Sequence, residues 1–102
     1  MNAVILTGRV GNDLELTQSN DKLICRFSLA TSDGTKDSPN TNWHNIVAFG
    51  KTAEILSSYV KKGEQLCING SINNSSYEKN GENRVYSQII VSKFTLISNN
   101  NN

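Results

Sequence analysis

Residues 42–72 read NWHNIVAFGKTAEILSSYVKKGEQLCINGSI, and the hydrophobic period changes twice within them. From Asn42 to Phe49 the chain alternates: Trp43, Asn45, Val47 and Phe49 fall on one side, His44, Ile46 and Ala48 on the other. A period of two is a strand pattern. Helical spacing follows. Thr52 reads as an N-cap with Glu54 in the first turn, and Ile55, Leu56, Tyr59 and Val60 form one apolar stripe. Lys61 and Lys62 fall in the last turn and Gly63 stops the helix, giving an element of about ten residues. Alternation then resumes, with Leu66, Ile68, Gly70 and Ile72 on one face. The segment therefore predicts strand, short helix, strand.

Working outward, Val4, Leu6, Gly8 and Val10 define a first strand that continues past a kink near Gly11 through Leu14 and Leu16. The turn Gln18-Ser19-Asn20-Asp21 leads to a second strand with Leu23, Cys25, Phe27 and Leu29 on one face. Asp33 to Thr41 is polar and holds Gly34 and Pro39, a composition that predicts an irregular loop. On the C-terminal side, Asn73 to Arg84 reads as a polar hairpin loop with Asn80-Gly81 as its turn. The last strand runs from Val85 to Val91 and is extended or closed by Phe94, Leu96 and Ile97. Residues 1–97 form one expected domain, and 98–102, ending in four asparagines, an expected disordered tail. Three strands, a helix and two strands predict an all-β, five-stranded Greek-key barrel of the OB type, its helix between strands three and four. SH3-like barrels lack that helix, and sandwiches need more strands.

The bulk properties narrow the function by exclusion. The 102 residues fit a single domain, and so small a core favours self-association. A net charge of +1 lacks the strong basicity of a duplex-DNA binder. No apolar stretch approaches a membrane span and the N-terminus lacks a signal-peptide pattern, so no membrane partner is expected. Cys25 and Cys67 form no metal-type spacing with the single His44; they read as reduced thiols of a cytoplasmic protein. No metal, cofactor or catalytic residue is expected, because no nucleophile–base pair or ligand set can be assembled.

The aromatic residues offer a positive signal. Trp43 and Phe49 share one side of the third strand, and Tyr77 and Tyr86 lie on or beside the hairpin expected to flank it. Alternation leaves two readings open: these rings fill the core, or they form a stacking surface. Lys36, Lys51, Lys62, Lys79 and Arg84, all in or next to loops, support the second reading, although any one of them is also an ordinary solvated lysine or arginine. Aromatic faces accept any base, and cationic loops track the backbone.

Asn2–Asp13, Phe27–Ser32, Trp43–Glu54, Tyr59–Gly63 and Ile68–Ile72, in one order across about residues 2–97, together resemble the bacterial single-stranded DNA-binding protein family. The resemblance implies an OB fold, a homotetramer or a dimer, and base stacking by Trp43, Phe49 and Tyr77. It implies that Lys51 and Lys62 lie near the DNA path and that His44, with Val4 and Leu6 of the first strand, contributes to a subunit interface. Relatives act in DNA replication, recombination and repair, in a bacterial cell or phage-infected host. The sequence departs from the pattern in three places. Thr35 stands nearest to where some relatives carry a further stacking tryptophan, and Asn73–Ser76 is uncharged where relatives are often basic. The acidic, partner-recruiting tail of relatives is absent from this sequence. The competing reading is an OB-fold primosomal or assembly module with weak DNA affinity.

Overall fold

The computed structural model describes residues 1–34 and 37–98. It contains six strands and one helix: β1 (Val4–Val10), β2 (Glu15–Ser19), β3 (Lys22–Gly34), β4 (Pro39–Phe49), α1 (Gly50–Tyr59), β5 (Gln65–Lys79) and β6 (Glu82–Ser98). The strands pair in the order β1-β5-β6-β4-β3-β2. A short β1–β3 pairing, Arg9 with Ala30 and Val10 with Leu29, brings the circuit back to β1. β4 and β6 run parallel through Ile46↔Ile89 and Val47↔Ile90; every other pairing is antiparallel. This is the all-β OB architecture, with the helix between β4 and β5.

The expected first strand is two strands. The kink near Gly11 is a break, after which β2 continues along the same neighbour, pairing Glu15↔Arg26 through Ser19↔Lys22. All of β2 is exposed, so Leu16 adds nothing to the core. Two stretches expected as loops are ladders instead. β3 and β4 stay paired out to Gly34↔Pro39, with Pro39 as the first residue of its strand, a position where its missing N–H is tolerated. β5 and β6 stay paired from Gln65↔Ser98 to Lys79↔Glu82, so Asn73–Arg84 is a two-stranded arm and not a loop. The Asn80-Gly81 turn is where expected, with φ of 53° and 80°. Ser98, expected in the disordered tail, is the last residue of β6; the four asparagines, like Thr35 and Lys36, lie outside the described residues.

The helix starts earlier than its sequence signals. Gly50, at φ 64°, turns the chain straight from β4 into α1, so Phe49 is the N-cap and Thr52 lies inside the first turn. No side chain caps the N-terminus, the first turn carries no acid, and Lys61 and Lys62 follow the helix. Its buried side is Ala53 and Leu56, continued by Val60; Tyr59, expected in that stripe, is exposed. After the helix the chain is tied to the end of β1: Gly63 N donates to Val10 O at 2.8 Å and Val10 N donates to Glu64 O at 3.0 Å.

The core follows the alternation. Cys25, Phe27 and Leu29 of β3 meet Ile46 and Ala48 of β4, Leu66 and Ile68 of β5, and Ile89 and Val91 of β6, with Leu56 closing one end. Val4, Leu6 and Leu23 pack against this cluster from its edge. Both cysteines are free, and burial pushes the Cys25 thiol above its ordinary pKa. Among the described residues no helix is long and apolar enough to cross a membrane, and no group of three or more His, Cys, Asp or Glu is placed to hold a metal ion.

Candidate nucleic-acid interface

With Ile46 and Ala48 in the core, the opposite side of β4 faces outward, so Trp43 and Phe49 do not fill the core. Trp43 is 62% exposed and Phe49 37%. They lie six residues apart on one face, about 20 Å at the usual strand rise of about 3.3 Å. Val47, between them, is buried at 2% although it points away from the barrel core. Directly paired residues share a face, so the register extends this surface across the sheet. Trp43 pairs with Ala30, Asn45 with Ser28, Val47 with Arg26 and Phe49 with Ile24; Glu15 pairs with Arg26 on the far side. On the other flank Val47 pairs with Ile90, and from Ile90 the face runs up the arm through Gln88, Tyr86 and Arg84. Their β5 partners are Ser71, Asn73, Ser75 and Tyr77.

Each expected site residue can now be placed. Tyr77 and Tyr86 are 47% and 43% exposed, with ring centroids 5.9 Å apart at an interplanar angle of 61°. Such an edge-to-face pair holds both rings without covering either face completely. Lys79 and Arg84 belong to the same face at the arm's outer end, and Arg84 makes a loose 3.9 Å ion pair with Glu82. Lys51 is exposed at the start of α1, and Lys62 stands beside the Gly63–Val10 connection. Lys36 falls outside the described residues. The proposed interface residues lie elsewhere. His44 is half-buried on the core side of β4, its Nε2 2.9 Å from Thr31 Oγ1, and Val4 and Leu6 turn inward, leaving Ile5 as the exposed apolar residue of β1.

The structure adds residues that the sequence reading passed over. Lys22 Nζ sits 5.7 Å from the centre of the Phe49 ring, a cation beside an aromatic platform. Arg26 lies on the same face four residues on, and Arg9, level with Trp43 through Ala30, donates to Gly63 O at 3.0 Å. The signal was available: if Leu23, Cys25 and Phe27 point inward, Lys22 and Arg26 point outward. Gly11 is the other addition. The Trp43 ring lies against it so closely that a Cβ there would overlap the indole. Gly11 is therefore the seat on which Trp43 rests.

A cleft of about 260 Å³ opens on this face midway between Trp43 and Phe49. Val47 supplies its apolar floor; Phe27 and Ile46, also at its lining, turn their side chains into the core. Around it stand polar groups from four strands and the β1–β2 connection, and the Tyr86 ring forms one wall. The arrangement offers flat apolar rings, a few cations and amide groups, and no activated nucleophile.

The sequence of residues 1–97 matches the model of the single-strand binding protein family. The chain is 37% identical over 105 residues to single-stranded DNA-binding protein 1 of Chlorobaculum tepidum, covering 95% of this chain and 65% of that protein. It is 35% identical over 108 residues to a single-stranded DNA-binding protein of Neisseria meningitidis, covering 99% and 62%. The chain thus spans 62–65% of the length of these two curated relatives. Among solved structures it superposes on the Plasmodium falciparum SSB in complex with ssDNA with a TM-score of 0.88, at 25% identity and 96% coverage of each chain.

Proposed function

The chain belongs to the single-strand binding protein family, and on that premise we propose that it binds single-stranded DNA, largely independently of sequence, as a non-catalytic binding module. One observation supports this most: Trp43, Phe49, Tyr77 and Tyr86 are all exposed on a single continuous sheet face, with Lys22, Arg26 and Arg84 between and beside them. Exposed rings spaced along one surface cost solvation unless something covers them, and successive bases of a single strand are suited to do so. A duplex hides those base faces. Trp43, Phe49, Tyr77 and Tyr86 supply the stacking platforms in this reading. Lys22, Lys79 and Arg84 track the phosphates along this face, and Lys51, Lys62 and Lys36 join them only where a longer strand extends past it.

The same reading makes the protein a self-associating one, a homotetramer in preference to a dimer, acting on exposed strands during replication, recombination and repair in the cytoplasm. Support for self-association comes from β1. It pairs with β3 only at Arg9 and Val10, so its Val4–Gly8 stretch has β5 on one side and an open edge on the other, with Ile5 exposed. A solution mass equal to one chain at micromolar concentration removes that part of the proposal.

The test of binding uses Trp43, the single tryptophan, as its own reporter. Titration with oligo-dT quenches its fluorescence saturably, and an equimolar duplex of the same length competes poorly. An assembly module with incidental DNA affinity gives no saturable change, and equal affinity for duplex contradicts stacking as the mode of binding.

A further inference from the structure

The cleft between Trp43 and Phe49 is more than a gap between two platforms. We propose that it receives one base of the bound strand edge-on and that its polar groups favour guanine. This deepens the single-strand reading above and rests on it. The apolar floor is Val47, which is buried although it belongs to the outer face. An apolar floor with a tyrosine wall suits a flat heterocycle, whose faces need no hydrogen bonds.

The edges carry the selectivity. Glu15 and Arg26 are direct partners across β2–β3, and both line the cleft. Opposite charges so placed ordinarily pair, yet the one ion pair among the described residues is Arg84–Glu82. The guanidinium and the carboxylate are thus free to bond something between them. Guanine presents two acceptors, O6 and N7, on one edge and two donors, N1–H and the 2-amino group, on the adjoining edge. Arginine binds the first pair bidentately, and a carboxylate accepts from the second pair. Adenine and cytosine each offer a single exocyclic amine as donor, and thymine a single N3–H, so none engages both groups as fully.

The amides complete the frame. Asn12 Oδ1 accepts from the backbone N–H of Ser28 at 2.8 Å, which fixes the side chain and leaves its Nδ2 as a donor at the rim. Asn45 Nδ2 reaches Ser87 O at 3.4 Å, leaving its oxygen as an acceptor. Gln88, half-buried at the same cleft, has both groups uncommitted.

The test measures affinity for oligo-dT carrying one central dG, dA or dC, at a length that lets the strand slide until the odd base meets the cleft. The dG strand is expected to bind about tenfold more tightly than oligo-dT, within the range of one bidentate base contact. 7-Deazaguanine, lacking the N7 acceptor, and hypoxanthine, lacking the 2-amino donor, each lose most of that gain. Arg26→Lys keeps the charge and loses the fork, so the ratio of dG-strand to oligo-dT affinity is expected to fall to about one. Glu15→Gln likewise reduces the dG preference. Equal affinity for dG, dA and dC strands overturns the proposal, as does a preference for another base. So does an Arg26→Lys variant that weakens every strand by the same factor, because Arg26 is then a phosphate contact. Failure of the wild-type protein to bind oligo-dT or any of these strands overturns the single-strand reading instead, a result separable from the loss of base preference alone.

Discussion

Trp43 rests its ring on the backbone at Gly11 and leaves 62% of its surface to solvent, so it is positioned by packing and available for stacking. Removing it empties no core space. Trp43→Ala is therefore expected to keep its melting temperature while losing about 1–3 kcal/mol of single-strand affinity. Gly11→Val, which contributes no stacking ring of its own, is expected to shift the Trp43 emission spectrum and weaken binding, because the new side chain occupies the seat of the indole. Unchanged emission and affinity in that variant would show that the ring does not depend on Gly11. Phe49 follows the same logic: it is half outside and precedes α1, so Phe49→Ala is a binding variant and not an unfolding one. Cys25 marks the other extreme. Burial raises its thiol pKa from the ordinary 9.0, so as pH rises the unfolded chain loses that proton first. The stability linked to the neutral thiol is intact below about pH 9 and is lost as pH climbs through the folded-state value. Urea unfolding across pH 8 to 10.5 should show a steeper alkaline decline in the parent than in Cys25→Ala; parallel slopes would remove Cys25 from the account. The inward role of Cys25 was legible from alternation with Leu23 and Phe27. The outward role of Trp43 was not, because either side of the strand carried enough apolar residues to face a core.

The β5–β6 arm carries two of the four aromatic platforms and little of the core. Beyond the Ile72↔Ile89 pair its residues are almost all exposed, and a two-stranded ribbon alone is marginal in water. What holds it is its continuity with the barrel strands, the Asn80-Gly81 turn and the Tyr77–Tyr86 contact. Replacing residues 74–87 by Asn-Gly closes the ladder at the Asn73↔Gln88 pair. The shortened protein is expected to unfold at nearly the parent temperature while losing about 2–6 kcal/mol of affinity, two stacking positions at about 1–3 each. A large drop in melting temperature would mean that the arm braces the barrel. The same arm shows where sequence stops being informative. Period-two reading needs one apolar face, and Asn73–Arg84 is polar on both sides, so a paired ribbon looks like a loop. The outer parts of β3 and β4 hid for the same reason. In α1 the start was displaced because Gly50, and not a capping side chain, makes the turn, and Tyr59 looked buried because the small Ala53 was not counted as the centre of the stripe. Where one face meets the core, as in Leu23 to Leu29 or Leu66 to Gly70, the strands and their inward faces were readable from the residues alone, although Ile72, read on the same face, is exposed.

At the scale of the whole molecule, a net charge of +1 has to be reconciled with a polyanionic ligand. Its distribution does so in part. Among the described residues Arg9, Lys22, Arg26, Lys79 and Arg84 lie on the face that carries the aromatics, against Glu15 and Glu82. The face is thus locally positive while the chain is nearly neutral. Some of these cations have other duties: Arg9 is hydrogen-bonded to Gly63 O, and Arg84 leans toward Glu82. Each phosphate neutralised on a single strand contributes about −0.7 to the slope of log affinity against log salt. Five such contacts set a limit near −3.5, which the two acids and the internal bonds make less steep. Stacking then accounts for an unusually large part of the affinity, since base–aromatic contacts do not release counterions. Oligo-dT affinity measured over a salt series, with a strand just long enough to occupy one subunit, is expected to fall more slowly than −3.5 and to remain measurable at salt that dissociates a strongly basic binder of equal strength. Lys22→Ala should make the slope less steep by one contact and also weaken stacking at Phe49, because the same ammonium sits over that ring. A steeper slope would place Lys51 and Lys62 on the path of that short strand as well, and the strand would then wrap around the helix end of the barrel and not run along β4 toward the arm.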